Sequence, residues 1–88
     1  MNSVESKIIN LLKQTIKRDL DFEITGETNL IKDISIDSLD LLLLFGEICD
    51  EFGIDVDETE LASIETVNDI VSKVTAKLNE QKEKTYET

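Results

Sequence analysis

The sequence predicts an all-α protein that folds as a small bundle of three main helices and one short helix. Two segments of the 88-residue chain repeat their apolar side chains with the period of an amphipathic helix, and a third, densely apolar segment lies between a capping residue and a glycine. No segment alternates apolar and polar residues over a useful strand length, and 40% hydrophobic residues suffice for a small core.

The first helix is predicted over residues 3–18, where apolar side chains recur at positions i, i+4, i+7, i+8 and i+12. These positions form one stripe: Val4, Ile8, Leu11, Leu12 and Ile16. Residues 19–36 show no sustained period and predict a long ordered loop, of a length that usually indicates either function or disorder. Spaced apolar side chains are expected to pin this loop to the core: Phe22, Ile24, Leu30, Ile31 and Ile34.

The second helix is predicted over residues 38–52. Asp37 is a good candidate for its N-cap, Asp40 adds negative charge to the first turn, and Gly53 is a natural stop. On a helical wheel, one apolar stripe of this segment can fill the core: Leu41, Leu44, Phe45, Ile48 and Phe52.

This second helix carries more hydrophobic side chains than one buried face needs. Leu39, Leu42, Leu43 and Gly46 fall mostly outside the core stripe, on a side of the helix that also holds its acidic residues. Two interpretations stay open: an apolar partner site ringed by acids, or a helix that is buried nearly all round. Cys49, at the edge of the core stripe, is expected to be a half-buried hydrophobe and not a nucleophile.

A single helical turn is predicted at residues 59–62, followed by a last helix that starts near Thr66. Thr66 is a plausible N-cap, and Asp69 occupies the capping-box position three residues later. The apolar stripe of the last helix is Val67, Ile70, Val71, Val74 and Leu78. Residues 79–88 are polar and expected to fray, so that residues 1–78 form the folded domain.

The composition excludes several kinds of site. With no His and one Cys, the chain has no His-dependent catalytic site, His-ligated metal, internal disulfide or Cys-rich zinc site. A net charge of −11 opposes binding to nucleic acid or to an anionic membrane surface. The longest apolar run is five residues, too short for a membrane span, and the N-terminus lacks the apolar stretch of a signal peptide. We therefore expect a cytoplasmic protein.

The charge is segregated along the chain. Residues 33–72 contain 12 acidic residues and no Lys or Arg, whereas the rest of the chain has a net charge of +1. An acidic run of this kind can simply be a solvated face. Because it spans a helix with a capped start, it favours an electrostatic docking surface for partners that present positive patches.

Ser38 lies in the motif Asp37-Ser38-Leu39, just after the predicted loop and in the first turn of the second helix, where a side chain points into solvent from a rigid support. Together with Glu51-Phe52-Gly53-Ile54-Asp55-Val56 and Thr66-Val67, this arrangement resembles the acyl carrier protein family over residues 4–78. The first motif resembles the Asp-Ser-Leu attachment motif of the family. The others resemble the stretch after its second helix and the start of its last helix.

The resemblance implies a monomeric four-helix carrier that bears a covalent 4′-phosphopantetheine arm, derived from coenzyme A, on Ser38. A phosphopantetheinyl transferase that uses Mg²⁺ would attach the arm, with the Ser38 hydroxyl attacking the pyrophosphate of coenzyme A. The thiol of the arm would carry an acyl group as a thioester for fatty-acid synthesis or a related pathway. The protein itself would be a carrier and not an enzyme, and no metal ligands are expected in it.

The resemblance also gives roles to the two faces of the second helix. A docking set would meet basic patches on the transferase and on acyl-handling enzymes: Asp37, Leu39, Asp40, Leu42, Glu47, Asp50 and Glu51. A pocket set would line the acyl pocket between helices: Leu41, Leu44, Phe45, Ile48, Val56, Leu61 and Ile64. Docking should be weak and sensitive to salt, because a carrier must leave each partner quickly.

The chain departs from the family pattern at four positions. Ser35 stands where the family often has Gly, two residues before the Asp of the motif, and Asp57 stands where many carriers have Pro. Leu43 and Cys49 occupy positions at which typical fatty-acid carriers place acids. These changes leave the carrier role intact and open the alternative of a dedicated carrier for a polyketide or another specialised pathway.

Three other functions are weighed against the carrier. An unmodified acidic interaction module would use Ser38 only as a helix cap. A hydrolase would lack any base partner for Ser38 other than carboxylates. Residues 55–59 place oxygen ligands at alternate positions, but an EF-hand would need Gly in place of Glu60 and Glu in place of Thr66, so only loose divalent-ion binding stays open.

Overall fold

The computed structural model describes residues 3–16 and 22–87, and the side chains of residues 3–16 and 22–80. It contains four helices: α1 (Ser3–Ile16), α2 (Ser38–Phe52), α3 (Glu58–Leu61) and α4 (Val67–Glu87). The described residues form no strand, and an isolated β-bridge joins Asn29 to Thr66. The predicted all-α bundle of three main helices and one short helix is confirmed. The predicted end of the first helix, residues 17–18, lies outside the described residues.

Both ends of α2 lie where they were predicted. Asp37 has an extended backbone (φ −92°, ψ 174°), and its Oδ1 accepts the backbone N–H of Asp40 at 2.8 Å. Gly53 ends the helix with φ 66°, a left-handed conformation that glycine adopts without a Cβ clash. Its N–H donates to the carbonyl of Cys49 at 2.8 Å. The N-cap and the stop predicted from the sequence are confirmed.

The short helix α3 begins one residue earlier than predicted. Asp57 precedes it as the N-cap, and its backbone N–H donates to Oε2 of Glu60 at 2.9 Å. Because Glu60 reaches back to the cap in this way, the helical turn is set at Glu58–Leu61 and not at residues 59–62.

The capping box predicted for the last helix is confirmed. Oγ1 of Thr66 accepts the N–H of Asp69 at 3.2 Å, and Oδ2 of Asp69 accepts the N–H of Thr66 at 3.0 Å. The apolar stripe of α4 ends at Leu78, but the helix itself continues to Glu87. The boundary placed at residue 78 is therefore not a helix end, and fraying of residues 79–88 stays a prediction.

The core lies where α1 packs against α2 and α4. Within the part of the chain that the structure describes, the buried hydrophobic side chains are Ile8, Leu12, Ile24, Leu30, Ile34, Ile36, Leu44, Phe45, Ile48, Ile54, Ile64, Val67, Ile70 and Val74. The predicted stripes of all three long helices supply members of this cluster. Full burial of one such side chain contributes about 1.5–3 kcal/mol, so packing rather than helix propensity stabilises the bundle.

The loop before α2 is ordered by hydrogen bonds to the start of α4. The N–H of Leu30 donates to the carbonyl of Glu65 at 2.8 Å, and the N–H of Val67 donates to the carbonyl of Thr28 at 3.1 Å. Thr28 is itself buried. The predicted ordered loop is confirmed for residues 22–36, while residues 19–21 lie outside the described residues.

The predicted anchors of this loop are only partly correct. Those that are buried are Ile24, Leu30 and Ile34. The prediction that Phe22 and Ile31 anchor the loop is wrong, because their side chains are 42% and 53% exposed. Ile31 belongs to a tight turn in which Oδ1 of Asn29 accepts its N–H at 2.9 Å, and its side chain lies on the outside of that turn. Ile36, which the sequence analysis did not select, is buried directly before α2.

Candidate functional site

Ser38 is the first residue of α2, and its side chain is exposed. The capping role at this helix start belongs to Asp37, whose side chain accepts the N–H of Asp40 and whose carbonyl accepts the N–H of Leu41 at 3.0 Å. Among the described residues, no group hydrogen-bonds to the Ser38 hydroxyl. The interpretation of Ser38 as the helix cap is therefore wrong, and its hydroxyl projects from a helix start that another residue holds.

The residues before the cap fix the start of α2 against the core. Ile34 and Ile36 are buried, and the N–H of Ile36 donates to the carbonyl of Leu30 at 3.0 Å. Between them, Ser35 has φ 61°, the one positive φ at a non-glycine residue in the described chain. This left-handed conformation costs an L-residue about 1–2 kcal/mol. The departure at Ser35 thus falls at a backbone position that suits glycine.

The outer face of α2 is apolar and open to solvent. Leu39 is 72% exposed, Leu43 is 61% exposed and Leu42 is 42% exposed. Gly46 is also exposed, one turn further along the helix. Of the two interpretations left open by the sequence, burial of the helix nearly all round is wrong, and α2 presents a second apolar surface.

The carboxylates beside this surface differ in what they contact. Glu51 pairs with Lys7 of α1 at 3.3 Å, and Oε1 of Glu47 accepts the hydroxyl of Thr15 at 3.3 Å. Within residues 3–16 and 22–80, no Lys or Arg lies within ion-pair distance of the other members of the acidic docking set: Asp37, Asp40 and Asp50. Both contacts with α1 join residues far apart in the chain, so no spacing in the sequence predicts them.

The predicted pocket residues all belong to one packed cluster. Leu44, Phe45, Ile48 and Ile64 are buried, and the half-buried members that pack against the core are Leu41, Val56 and Leu61. A surface cleft of about 260 Å³ lies beside α3, lined by Asp55, Val56, Asp57, Glu60 and Lys77. Of the pocket set, Val56 reaches this cleft, so the cleft opens at the edge of the predicted pocket residues.

Glu60 ties α3 to α4. Its Oε1 lies 3.1 Å from Nζ of Lys73, and its Oε2 lies 3.2 Å from Nζ of Lys77, while the same carboxylate accepts the N–H of Asp57. The hydrogen bond from Asp57 and then the one from Lys73 lower the pKa of Glu60 to about 2, from a usual 4.5. In turn the Glu60 carboxylate raises the pKa of Lys77. The Asp-x-x-Glu spacing of Asp57 and Glu60 was a capping signal that the sequence analysis overlooked.

Residues 6–74 match the model of the family described as "Phosphopantetheine attachment site". The chain belongs to the acyl carrier protein family. An acyl carrier protein of Thermotoga maritima is 40% identical to it over 73 residues, which cover 83% of this chain and 89% of that protein. An acyl carrier protein of Rickettsia canadensis is 32% identical over 73 residues, which cover 83% of this chain and 84% of that protein.

Solved structures agree with this fold. A Mycobacterium tuberculosis protein described as an acyl carrier protein superposes with a TM-score of 0.76 at 30% identity, over 84% of this chain and 97% of that chain. The crystal structure of an acyl carrier protein from Thermotoga maritima superposes with a TM-score of 0.74 at 24% identity, over 90% of this chain and 95% of that chain. The second likeness supports the fold alone. The predicted four-helix carrier fold is confirmed.

Members of the acyl carrier protein family hold a covalently attached 4′-phosphopantetheine. The start of α2 in this chain fits such a group. The Ser38 hydroxyl is exposed and, in the described part of the chain, makes no hydrogen bond. The N-terminus of α2 carries partial positive charge, which favours a phosphodiester. The nearest carboxylate along the chain, that of Asp37, is turned onto the N–H of Asp40.

Cys49 is half-buried in this carrier domain, as predicted. Burial raises the pKa of its thiol, and the carboxylates of Asp55 and Asp50 raise it further. A raised pKa keeps the sulfur protonated, which agrees with the predicted half-buried hydrophobe.

Two further properties of the described residues bear on function. No three of their His, Cys, Asp or Glu side chains are grouped so that they could hold a metal ion. None of the helices described here is both long enough and apolar enough to cross a membrane.

Proposed function

We propose that this chain carries acyl groups as thioesters on a 4′-phosphopantetheine arm attached to Ser38, and delivers them to enzymes of fatty-acid synthesis or a related pathway. The observation that carries this proposal is the exposed Ser38 hydroxyl at the start of α2, next to an N-cap supplied by Asp37. The family match over residues 6–74 spans this position. The cytoplasmic location and the monomeric state remain predictions from the sequence.

The contribution of the chain to loading is geometric. A phosphopantetheinyl transferase would bring coenzyme A to Ser38, whose oxygen would bond to phosphorus while the phosphorus–oxygen bond to the nucleotide breaks. In the described chain no group lies in hydrogen-bond contact with the Ser38 hydroxyl, so we expect the transferase to supply the base that takes up its proton. Once attached, the arm supplies a thiol that forms thioesters. On this account the chain is a carrier and not an enzyme.

The acids of α2 would orient the partners that visit Ser38. Asp37 and Asp50 are exposed, Asp40 is half-buried, and residues 33–72 contain no Lys or Arg to neutralise them. Basic patches on the transferase and on acyl-handling enzymes would therefore be drawn to this face, with Leu39 and Leu42 as apolar contacts. Glu47 and Glu51 also belong to the docking set. Because they already contact α1, we expect them to contribute less.

The acyl group would enter the bundle from the cleft beside α3. Val56 borders that cleft, and Leu61 is half-buried on α3. Deeper in the bundle, Leu44, Phe45 and Ile48 are closely packed, so an acyl chain would have to move side chains of the pocket set to pass them. This arrangement supports a pocket that opens on loading instead of a preformed cavity.

A second candidate is a dedicated carrier for a polyketide or another specialised pathway. Its support is Leu43, which is 61% exposed on the outer face of α2 at a position where typical fatty-acid carriers place an acid. An exposed leucine among acids suits partners whose docking surface is apolar as well as basic.

Intact-mass measurement tests the proposed attachment. The chain is co-expressed with a competent phosphopantetheinyl transferase, and we expect the wild type to gain the mass of one phosphopantetheine. Ser38→Ala should abolish the gain without loss of helix content, because Asp37 and not Ser38 caps α2. Ser72→Ala, at an exposed serine of α4, is the matched control and should be modified like the wild type.

An unmodified wild-type mass in the presence of an active transferase would contradict the proposal and favour an unmodified interaction module. Intact mass of the natively purified protein then distinguishes the two carrier candidates, because it reads the attached acyl group directly. A fatty acyl cargo supports fatty-acid synthesis, and a polyketide or other cargo supports a specialised pathway.

A further inference from the structure

The short helix α3 is held to the bundle differently from the other helices. The structure describes all four of its residues and none of them is buried, whereas α1, α2 and α4 each bury at least two side chains. Leu61 is half-buried against the core, and its carbonyl accepts the N–H of Ile64 at 3.1 Å. Because a helix of one turn has little stability of its own, its attachment to the rest of the chain decides whether it stays in place.

The attachment of α3 to α4 is electrostatic. Lys73 and Lys77 lie one turn apart on α4, so that one carboxylate reaches both: Oε1 of Glu60 lies 3.1 Å from the first Nζ and Oε2 lies 3.2 Å from the second. We call these two ion pairs the Glu60 bridge. Each of its three side chains is about one quarter exposed, so water and ions reach the bridge. Added salt should therefore weaken it, whereas the buried core should respond much less.

The Glu60 bridge lies between two surface clefts. The cleft of about 260 Å³ described above contains Lys77 together with Val56 of the pocket set. A second cleft, of about 240 Å³, contains Lys73 together with Ile64 of the pocket set. Its other lining residues are Ser63, Asp69, Ser72 and Ala76. Each cleft thus holds one lysine of the bridge and borders one pocket residue, so release of Glu60 would join the two clefts into one groove between α3 and α4.

We propose that the Glu60 bridge controls access to the acyl pocket: α3 moves away from α4 when Glu60 releases Lys73 and Lys77, and the acyl chain passes through the groove that then joins the two clefts. This inference rests on the proposed attachment at Ser38 and adds to it the contact that keeps the pocket closed. Glu60 is a positioning residue in this role, because it acts through the place of α3 and not on the thioester.

Amide hydrogen exchange of the apo chain tests the bridge without any attached arm. The amides of Ser63 and Ile64 donate to carbonyls of α3, so they report its opening. In the wild type they should exchange faster than the amide of Ile48 in the core, because α3 opens while the bundle stays folded. Glu60→Gln should speed their exchange on the order of 5-fold, and added salt should speed it in the wild type but not in Glu60→Gln. Glu58→Gln, on the same helix, is the control and should exchange like the wild type.

Cleavage of an attached thioester by hydroxylamine tests the link to the acyl pocket. The chain is loaded from octanoyl-coenzyme A or from acetyl-coenzyme A, and loss of the acyl group is followed by intact mass. The octanoyl thioester should be cleaved several-fold faster in Glu60→Gln than in the wild type or in Glu58→Gln, because a pocket that opens more often shields the thioester less. The acetyl thioester should be cleaved equally in all three, since two carbons are too short to be held in the core.

The outcomes separate this inference from the proposed function. A wild-type chain that no transferase loads overturns both. Amides of Ser63 and Ile64 that exchange at the rate of Ile48, or that do not respond to Glu60→Gln, overturn the inference alone, because α3 would then open only with the whole bundle or without the bridge. Faster exchange with unchanged cleavage of the octanoyl thioester also overturns it. Faster exchange and faster octanoyl cleavage, both confined to Glu60→Gln, support it.

Discussion

Leu43 and Leu44 are neighbours of the same residue type, yet they lie on opposite faces of α2. Leu43 is 61% exposed, whereas Leu44 is fully buried in the core. The acidic residues show the same division. Asp50 faces solvent, whereas Glu60 holds Lys73 and Lys77 of α4. Residues of one type thus either hold the bundle together or face solvent, and the helices packed around them decide which.

The largest expected effect is the loss of stability when Leu44 is truncated, compared with the same truncation at Leu43. Leu44→Ala should lower the free energy of unfolding by about 2–5 kcal/mol, since it leaves a cavity in the core. Leu43→Ala should change it by no more than about 0.5 kcal/mol, because the side chain is already in water. Denaturant unfolding followed by circular dichroism measures both values. Similar losses of stability for the two variants would show that Leu43 is buried like Leu44, and would contradict the assignment of the two leucines to opposite faces of α2.

The next effect concerns the acids that face solvent. Asp50→Lys should raise the KM of the transferase roughly 10-fold at low salt, and the increase should shrink as salt is added. Stability should not fall, because Asp50 lies near the C-terminus of α2, where a cation is favoured over an anion. Glu80→Lys makes the same charge change at an exposed position of α4 and should leave KM unaltered. A KM that responds equally to both variants would indicate a general charge effect.

Glu60→Gln should affect stability and not docking, which is the opposite of the effect expected for Asp50→Lys. It removes the attraction to Lys73 and Lys77 but keeps an oxygen that can accept the N–H of Asp57, so the melting temperature should fall while the KM of the transferase stays the same. Glu58→Gln, which neutralises an exposed acid on the same short helix, is the matched control and should be close to the wild type. A rise in KM without a change in melting temperature would indicate that Glu60 contributes to docking and not to the stability of the bundle.

The stabilising effect of Glu60 should depend on pH in a defined direction. Its pKa is lowered to about 2 in the folded chain, so its contribution is fully present above its usual value of 4.5 and is lost as the pH falls toward 2. The difference in melting temperature between the wild type and Glu60→Gln should therefore be constant near neutral pH and shrink below about pH 4.5. A difference that grows on acidification would contradict this assignment.

The smallest effect is expected at Ser35. Ser35→Gly should raise the free energy of unfolding by about 0.5–1 kcal/mol, because relief of the left-handed backbone outweighs the extra freedom of glycine in the unfolded chain. Ser72→Gly, in the regular helix α4, should instead lower it by roughly 0.5 kcal/mol. Equal destabilisation by the two variants would mean that the positive φ of Ser35 carries no strain.

The helices and their caps could be predicted because they depend on residues close together in the sequence. The stripe of α4, the cap at Asp37 and the stop at Gly53 are local signals of this kind. The loop before α2 was harder to predict, since its apolar residues have no period that indicates which of them face the core. Phe22 and Ile31 therefore could not be separated from Ile36 without the turn that orients them.

The candidate site was predictable in identity but not in its contacts. The motif around Ser38 located the exposed hydroxyl, and the helical wheel located both faces of α2. The pairing of Glu60 with α4 and of Glu51 with Lys7 depends on how helices pack, and no spacing in the sequence encodes it. The charge count of residues 33–72 consequently treated Glu60 and Asp50 as equivalent, although Glu60 pairs with Lys73 and Lys77 and Asp50 faces solvent.

Site mapping tests the central claim most directly. The wild-type chain is loaded from coenzyme A by a phosphopantetheinyl transferase, digested, and sequenced by tandem mass spectrometry. The account predicts that the added phosphopantetheine resides on Ser38 and on no other hydroxyl. Phosphopantetheine on a different serine or threonine, or a Ser38 peptide that stays unmodified beside an active transferase, would contradict it.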